Sequence, residues 1–245
     1  MTDTSVDEIA SGIYRLSTYT EAIPGGFTFN QFLIDAEEPL LFHSGLRQLF
    51  PSVSAALATV IPIDRLRWLS FGHWEADESG AVNRWLQAAP AASAAIGSLG
   101  AAVSATDQLD RTPRSLASDE ILELGGKRVR WLDTPHVPHG WDAGVLFEET
   151  TSTLFCGDLF THAGPVASLT DGDIVGPAVA TEDLFGFTCL TPSTAPTICR
   201  LADLEPRTLA LMHGASFAGD GSEALRALAD NYQRRLHEQM ARPSE

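Results

Sequence analysis

Short apolar runs separated by turn-forming residues dominate the first part of the chain. Three such runs, each of strand length, cover residues 13–19, 28–35 and 39–45. The segments between them, "PGG" and "DAEE", are rich in residues that form turns. Because short connections join neighbouring antiparallel strands, the pattern predicts an antiparallel meander over residues 13–44.

The next part alternates between helical and strand patterns. Residues 46–61 repeat apolar side chains at helical spacing despite Pro51, and residues 65–71 return to a strand pattern. Residues 79–89 predict a second helix. A strongly charged segment therefore lies between a predicted strand and the helix that follows it.

The second half repeats this alternation. Residues 121–136 predict a hairpin with Gly125 and Gly126 at its turn. Two further strands are predicted over residues 144–149 and 151–158, where apolar and β-branched residues predominate.

Two segments complete the chain. Residues 163–198 are rich in Gly, Pro and Thr without a sustained period, so we predict irregular structure with a short helix near "TEDLFGF", serving as a lid, a pocket wall or a surface insertion. Residues 222–240 predict an amphipathic helix with leucines and alanines on one face. Since strands precede helices in both halves, we expect one α/β domain over residues 1–245, with two packed sheets and helices outside them.

Composition and charge narrow the possible partners. The 245 residues are 44% hydrophobic, enough for one substantial core. The net charge is −16, from 16 basic and 32 acidic residues, so the surface repels nucleic acid and anionic membranes. Part of this excess is available to neutralise bound cations.

Cysteine usage and the N-terminal sequence indicate the compartment. The chain has three cysteines, Cys156, Cys189 and Cys199, and no CxxC pair, which argues against a disulfide framework or a thiolate zinc site. The first residues are acidic where a signal peptide needs basic ones, and no apolar run approaches the ~18 residues of a membrane span. We therefore expect a cytoplasmic protein outside the membrane.

The charged segment "SFGHWEADESG" carries the first candidate chemistry. His73, Glu75 and Asp77 alternate with other residues, so from an extended backbone their side chains would point the same way, as ligands of one site do. Asp77 also precedes a predicted helix, where an aspartate commonly acts as an N-cap.

Three further candidates also follow predicted strands. His139 lies in "TPHVPHGWDAG", Asp158 in "LFCGDLF" and His213 in "LALMHGAS". Each alone is compatible with a turn or a satisfied strand-end residue. Because all of these groups come where strands stop, which is where sheet proteins build sites, we expect them to form one site.

The ordered series "HWEAD", "PHGWDAG", "CGD" and "MHG" resembles the metallo-β-lactamase fold superfamily over nearly the whole chain. Zinc hydrolases of that superfamily carry HxHxDH in the first segment, whereas this chain has Glu75 where the second histidine would stand. Glutamate there is similar to the di-iron branch, which comprises flavodiiron proteins and stand-alone oxygen-binding di-iron proteins. Asp158 follows His139 by nineteen positions, which matches the spacing of the bridging aspartate in that branch. The resemblance implies a four-layer αββα sandwich.

The resemblance also implies a ligand set. It assigns His73, Glu75 and His139 to one iron, Asp77 and His213 to the other, and Asp158 to both. Three carboxylates offset three of the four charges of two divalent ions, and imidazole and carboxylate ligands suit iron or manganese. The implied cofactors are two iron ions, with manganese or zinc as alternatives, and no flavin is expected in this chain.

Four other residues are candidates for the surroundings of the site. Glu78 stands where the family often has a histidine, and either coordinates through oxygen or turns away. His43 replaces an aspartate that supports a ligand in many members of the superfamily. His136 competes with His139 as the middle ligand, and we prefer His139 for its spacing. His162 faces either the same cavity or the loop surface.

The resemblance implies a protein that binds or reduces O₂ or NO at a dinuclear non-heme site. Flavodiiron proteins carry a flavodoxin domain after the lactamase-like core, and none is expected in residues 1–245. Without such a domain, the protein would either take electrons from a separate donor or bind oxygen without rapid turnover, as a sensor does. The protein could also form a homodimer.

Three alternatives stay open at this point. The first is a dinuclear zinc hydrolase of esters, lactones or thioesters, against which Glu75 argues. The second is a di-iron monooxygenase in which residues 163–198 hold an organic substrate. The third is an interaction module that binds no metal.

Overall fold

The computed structural model describes residues 3–241, and its first sheet comes from the first half of the chain. Its seven strands, listed in spatial order, are β1 (Thr4–Ala10), β2 (Ile13–Thr20), β3 (Phe27–Ile34), β4 (Leu40–Phe42), β5 (Trp68–Ser70), β6 (Ser93–Gly97) and β7 (Arg114–Leu116). Strands β1 to β4 pair antiparallel, and β4 to β7 pair parallel. The predicted antiparallel meander is confirmed.

The second sheet comes from the second half. Its seven strands, in chain order, are β8 (Ile121–Glu123), β9 (Arg128–Asp133), β10 (Gly144–Glu148), β11 (Thr153–Phe155), β12 (Leu169–Thr170), β13 (Thr208–Ala210) and β14 (Ser216–Ala218). Their spatial order is β12-β14-β13-β11-β10-β9-β8. The predicted hairpin is confirmed as the antiparallel pair β8 and β9.

Helices cover the outer faces of the two sheets. They are α1 (Phe50–Leu57), α2 (Ala76–Ser79), α3 (Val82–Ala88), α4 (Ser98–Val103), α5 (Ala105–Gln108), α6 (Val175–Phe185), α7 (Thr194–Ala202) and α8 (Gly221–Ala241), with a short 3₁₀ turn at Ile63–Arg65. Within the part of the chain that the structure describes, no helix has the length and apolar character needed to cross a bilayer.

Three buried clusters show the layer order. One packs α1 and α3 on the first sheet, one packs α6, α7 and α8 on the second, and one lies between the sheets. Alternation along β3 explains this, because Leu33 faces the helices while Phe32 and Ile34 face the other sheet. The predicted α/β, four-layer αββα sandwich is therefore confirmed.

Some predicted elements were wrong in extent or kind. The helix predicted over residues 46–61 is α1, which is shorter because Pro51 lies in its first turn, where a missing N–H breaks no helical hydrogen bond. Within residues 163–198, the short helix predicted near "TEDLFGF" is confirmed as the end of α6, but the segment is less irregular than predicted, since α6 is longer and α7 also begins there. Pro177 and Pro196 lie near the starts of those two helices, so a proline-rich composition was a poor guide to loops there.

Candidate metal centre

Four strands from the two sheets end at the same edge of the sandwich. The segments after β5, β9, β11 and β13 carry all the ligands predicted from the sequence. Backbone hydrogen bonds join these segments: Gly144 N–H donates to Gly72 O at 2.9 Å, and Met212 N–H donates to Gly157 O at 3.0 Å. The fold therefore brings groups that are distant in sequence to one place.

The first group of donors has four members. Glu75 Oε2 lies 2.9 Å from His73 Nε2 and 3.1 Å from His139 Nε2. Asp158 Oδ2 lies 3.7 Å and 3.4 Å from the same two nitrogens. One ligand atom from each residue lies within 4.8 Å of the others. Two ligands of one ion, each bonded at about 2.1 Å, are separated by roughly 3.0–3.4 Å, so the spacing suits a shared ion.

The second group shares Asp158 with the first. His213 Nε2 lies 3.1 Å from Asp77 Oδ2 and 3.5 Å from Asp158 Oδ1. The two oxygens of Asp158 thus face different donor groups, Oδ2 the first and Oδ1 the second. A carboxylate placed in this way is suited to bridge two ions.

A short helix, and not an extended run, orients the first segment. Glu75 is extended, with φ −134° and ψ 154°, and directly precedes α2, whose first turn contains Asp77. The prediction that His73, Glu75 and Asp77 point the same way from an extended backbone is therefore wrong. The turn of α2 directs Asp77 toward His213 while Glu75 contacts His73 and His139.

Neighbouring groups hold the His213 ring in place. His213 Nδ1–H donates to Thr28 O at 2.8 Å, and Gly214 N–H donates to Thr28 Oγ1 at 2.8 Å. Gly214 has φ 114°, and a Cβ there would lie 2.2 Å from the His162 ring, so the close approach requires glycine. This packing holds Nε2 of His213 toward the carboxylates.

The metal-free electrostatics favour protonated rings. Burial opposes protonation of His73, yet Glu78, Glu75 and Asp158 together raise the pKa of His73 to about 12. The hydrogen bond to Glu75 raises the pKa of His139, and Asp77 and Asp158 raise that of His213 despite its burial. Hydrogen bonds from His139 and His73 hold the pKa of Glu75 far below its usual range. Burial, with Glu78 beside it, raises the pKa of Asp158.

The donor set fits divalent metal ions. His213 has acceptors at both nitrogens, and His73 has carboxylate oxygens near both, so each ring needs either a second proton or a cation at Nε2. Asp77 Oδ1 is buried without a hydrogen-bond partner among the described residues. Imidazole nitrogens and carboxylate oxygens, without thiolates, are donors that iron, manganese and zinc accept. The ligand assignment itself stays a prediction.

Metal binding is expected to release protons, more of them at low pH. At pH 6, below the ordinary histidine pKa of about 6.5, His73, His139 and His213 are all imidazolium ions with a proton on both nitrogens. Each ring must lose one of these protons to bind a metal ion, so saturation with Zn²⁺ should release about three protons per chain. As pH rises, the release should fall toward the proton of His73, and apparent affinity should increase. An indicator dye in weak buffer measures the release. Fewer than one proton at pH 6 would contradict these ionisation states.

The four remaining candidates lie in different places. Glu78 and His43 are fully buried, and Glu78 lies beside the Nδ1 side of His73. His162 is buried too: its Nδ1–H donates to Phe160 O at 2.9 Å and its Nε2 accepts from Ala215 N–H at 3.0 Å, so its alternative surface role is wrong. His136 is exposed on the loop, which favours His139 as the middle ligand.

The two histidines of that loop offer a matched test. His139→Ala should weaken the first metal position by more than about 100-fold, since loss of a group that only supports a ligand already costs about 10–100-fold. His136→Ala should change affinity by less than about twofold, as expected for an exposed side chain. Competition with a chromophoric Zn²⁺ chelator measures both. The reverse order of effects would move the ligand assignment to His136.

A small apolar cavity opens onto the donor groups. Its volume is about 210 Å³, and beside the donors it is lined by Ile23, Phe27, Thr161, Phe185 and Phe187. Phe27 packs edge-on against both Phe185 and His213. Phe185 and Phe187 belong to residues 163–198, for which a pocket wall was one of the predicted roles. None of the lining residues was predicted individually, because isolated apolar residues from distant segments carry no local signal.

Comparisons with known proteins identify a family and related sequences. A family profile described as "ODP family beta lactamase" matches residues 27–175. "Putative diflavin flavoprotein A 2" of Synechocystis sp. is 26% identical over 198 residues, which are 77% of this chain and 33% of that protein. The chain thus spans about a third of the curated relative.

Solved structures share the fold at low identity. Rubredoxin oxygen:oxidoreductase from Desulfovibrio gigas superposes with TM-score 0.81 at 18% identity, covering 94% of this chain and 62% of that one. The metal-soaked flavodiiron core of Flv1 from Synechocystis sp. superposes with TM-score 0.79 at 22% identity, covering 98% of this chain and 62% of that one. These likenesses establish the fold.

Proposed function

Because the chain belongs to the family described as ODP family beta lactamase, we propose that it is a di-iron protein that binds or reduces O₂ or NO. The observation that carries the proposal is the position of Asp158, whose two oxygens face two separate donor groups. The flavodiiron and oxygen:oxidoreductase names of the structural neighbours support the same class of chemistry.

In this proposal the side chains divide between two ions. Residues His73, Glu75, His139 and Asp158 hold the first, and Asp77, His213 and Asp158 hold the second. Two ferrous ions, when bound, supply the electrons and the open coordination positions that O₂ or NO requires. The first position has four protein donors and the second has three, so we expect the first to fill at lower metal concentration.

The cavity favours a very small ligand. Its volume of about 210 Å³ is below the ~300–1,000 Å³ of pockets that bind drug-sized molecules. Apart from the donor groups themselves, its lining is mainly apolar, from Ile23, Phe27, Phe185 and Phe187, and among the described residues Thr161 is the one further polar residue that could orient an organic substrate. These features favour a diatomic gas over the substrates of a hydrolase or a monooxygenase.

Electrons for reduction come from outside the described residues in this proposal. The strands and helices of residues 3–241 form the two sheets and the helices that cover them. A reductase outside these residues is the donor that we propose for turnover, and a protein that only senses oxygen needs none.

The test uses iron-loaded protein reduced in the absence of air. We expect its visible absorption spectrum to change on exposure to air and, in a separate sample, on exposure to NO. Zinc-loaded protein, treated identically, is the control and should show no change. Full zinc occupancy after growth with both metals, together with ester, lactone or thioester hydrolysis and no oxygen-sensitive absorption, would overturn the proposal in favour of a zinc hydrolase.

A further inference from the structure

A fully buried carboxylate lies behind the first donor group. Glu78 is 0% exposed, and its Oε2 accepts the N–H of Gly72 at 2.6 Å and of His73 at 2.8 Å. Its Oε1 lies 3.4 Å from His73 Nδ1 and 3.3 Å from His43 Nε2. The side chain therefore faces the back of the His73 ring.

The backbone is shaped to admit this carboxylate. A Cβ at position 72 would lie 3.1 Å from Glu78 Oε2 and 2.8 Å from Gly144 O, so glycine leaves the space that the carboxylate occupies. Ser44 N–H donates to Glu78 O at 2.6 Å, which ties the segment of His43 to α2. Burial of an ionised carboxylate is unfavourable unless hydrogen bonds and a countercharge compensate it.

His43 lies on the other side of the carboxylate. Its Nδ1 lies 3.3 Å from Asn30 O, and its Nε2 lies 3.3 Å from Glu78 Oε1. The residue adopts φ 64°, an uncommon conformation for a non-glycine residue, and its ring packs against Phe42 at 4.2 Å between centroids.

We infer that Glu78 is a positioning residue for His73: it holds the proton on Nδ1 and directs Nε2 toward the first metal position. The inference rests on the metal centre of the proposed function and on no particular gas chemistry. Ligating histidines commonly donate their second N–H to a carboxylate, which fixes the ring and makes the ligand nitrogen more basic. Among the three ligand rings, the structure gives such a carboxylate only to His73 within residues 3–241.

The test compares two buried glutamates. Glu148 is also fully buried and accepts the N–H groups of Thr150 at 2.9 Å and Thr151 at 2.8 Å, at a turn between β10 and β11. Glu78→Gln should weaken Zn²⁺ at the first position about 10–100-fold, whereas Glu148→Gln should lower thermal stability and leave Zn²⁺ affinity unchanged. Equal affinity of Glu78→Gln and the unsubstituted protein would overturn the inference.

A measurement on the unsubstituted protein serves if Glu78→Gln does not fold. In Zn²⁺-loaded, ¹⁵N-labelled protein, long-range proton–nitrogen correlation spectra should show His73 protonated at Nδ1 and metal-bound at Nε2. The opposite tautomer would overturn the inference. If these Zn²⁺ results hold but the spectrum of iron-loaded protein does not change with O₂ or NO, only the proposed function is overturned. If the protein binds no metal at all, both the proposed function and the inference about Glu78 are overturned.

Discussion

Replacing Asp158 by asparagine is expected to reduce bound iron from about two ions to fewer than about one per chain. The amide keeps one acceptor oxygen but presents an NH₂ group, which cannot ligate, to one of the two donor groups. Since removing a mere supporting group costs about 10–100-fold in affinity, loss of a ligand shared by both ions should exceed about 100-fold. Elemental analysis after anaerobic iron loading and desalting measures the outcome.

The same substitution should have the opposite effect on the metal-free protein. Burial and the neighbouring Glu78 raise the pKa of Asp158, so at pH 7, above the ordinary aspartate pKa of about 3.9, this carboxyl group destabilises the folded state. Metal-free Asp158→Asn should therefore unfold at a temperature no lower than the metal-free parent, while the stabilisation by added metal is lost. Asp173→Asn, at an exposed aspartate that accepts two backbone N–H groups, is the control and should keep two ions. If Asp158→Asn still bound two ions tightly, Asp158 would not be the ligand that bridges them.

Replacing Glu75 by histidine is expected to shift metal preference from iron to zinc. The Glu75 carboxylate contacts both His73 and His139, and an imidazole in its place would give the first position three nitrogen donors and Asp158. Three imidazoles with one further ligand are typical of zinc. We expect the zinc-to-iron ratio of protein loaded from an equimolar mixture to rise at least about tenfold, with a weaker spectral response to air.

The control for this change is Glu238→His, at an exposed position of α8. It adds the same side chain away from the centre, so the zinc-to-iron ratio should stay that of the parent. An unchanged ratio in Glu75→His as well would show that Glu75 lies outside the coordination of the first ion.

Local sequence patterns were sufficient to predict the elements whose apolar residues alternate or cluster along a short run. The runs that became β2, β3 and β10 alternate or cluster apolar side chains, and glycines mark the hairpin of β8 and β9. Local sequence patterns were a poor guide where a segment with the composition of a loop forms a helix. Only the end of helix α6 was predicted, near "TEDLFGF", because the helix has no clear apolar face in sequence and Pro177 near its start suggested a loop.

The residue types available to the centre, their order along the chain, and the spacing between His139 and Asp158 can all be obtained from the sequence. The folded structure was needed to show that α2 turns Asp77 toward His213, that Glu78 lies behind His73, and that His136 is exposed while His162 is buried. The physical reason is that a ligand's direction depends on backbone turns and on packing partners from distant segments, such as Thr28 behind His213 and Gly72 beneath Glu78. Those contacts form only when the ends of the two sheets meet, and no local period encodes them.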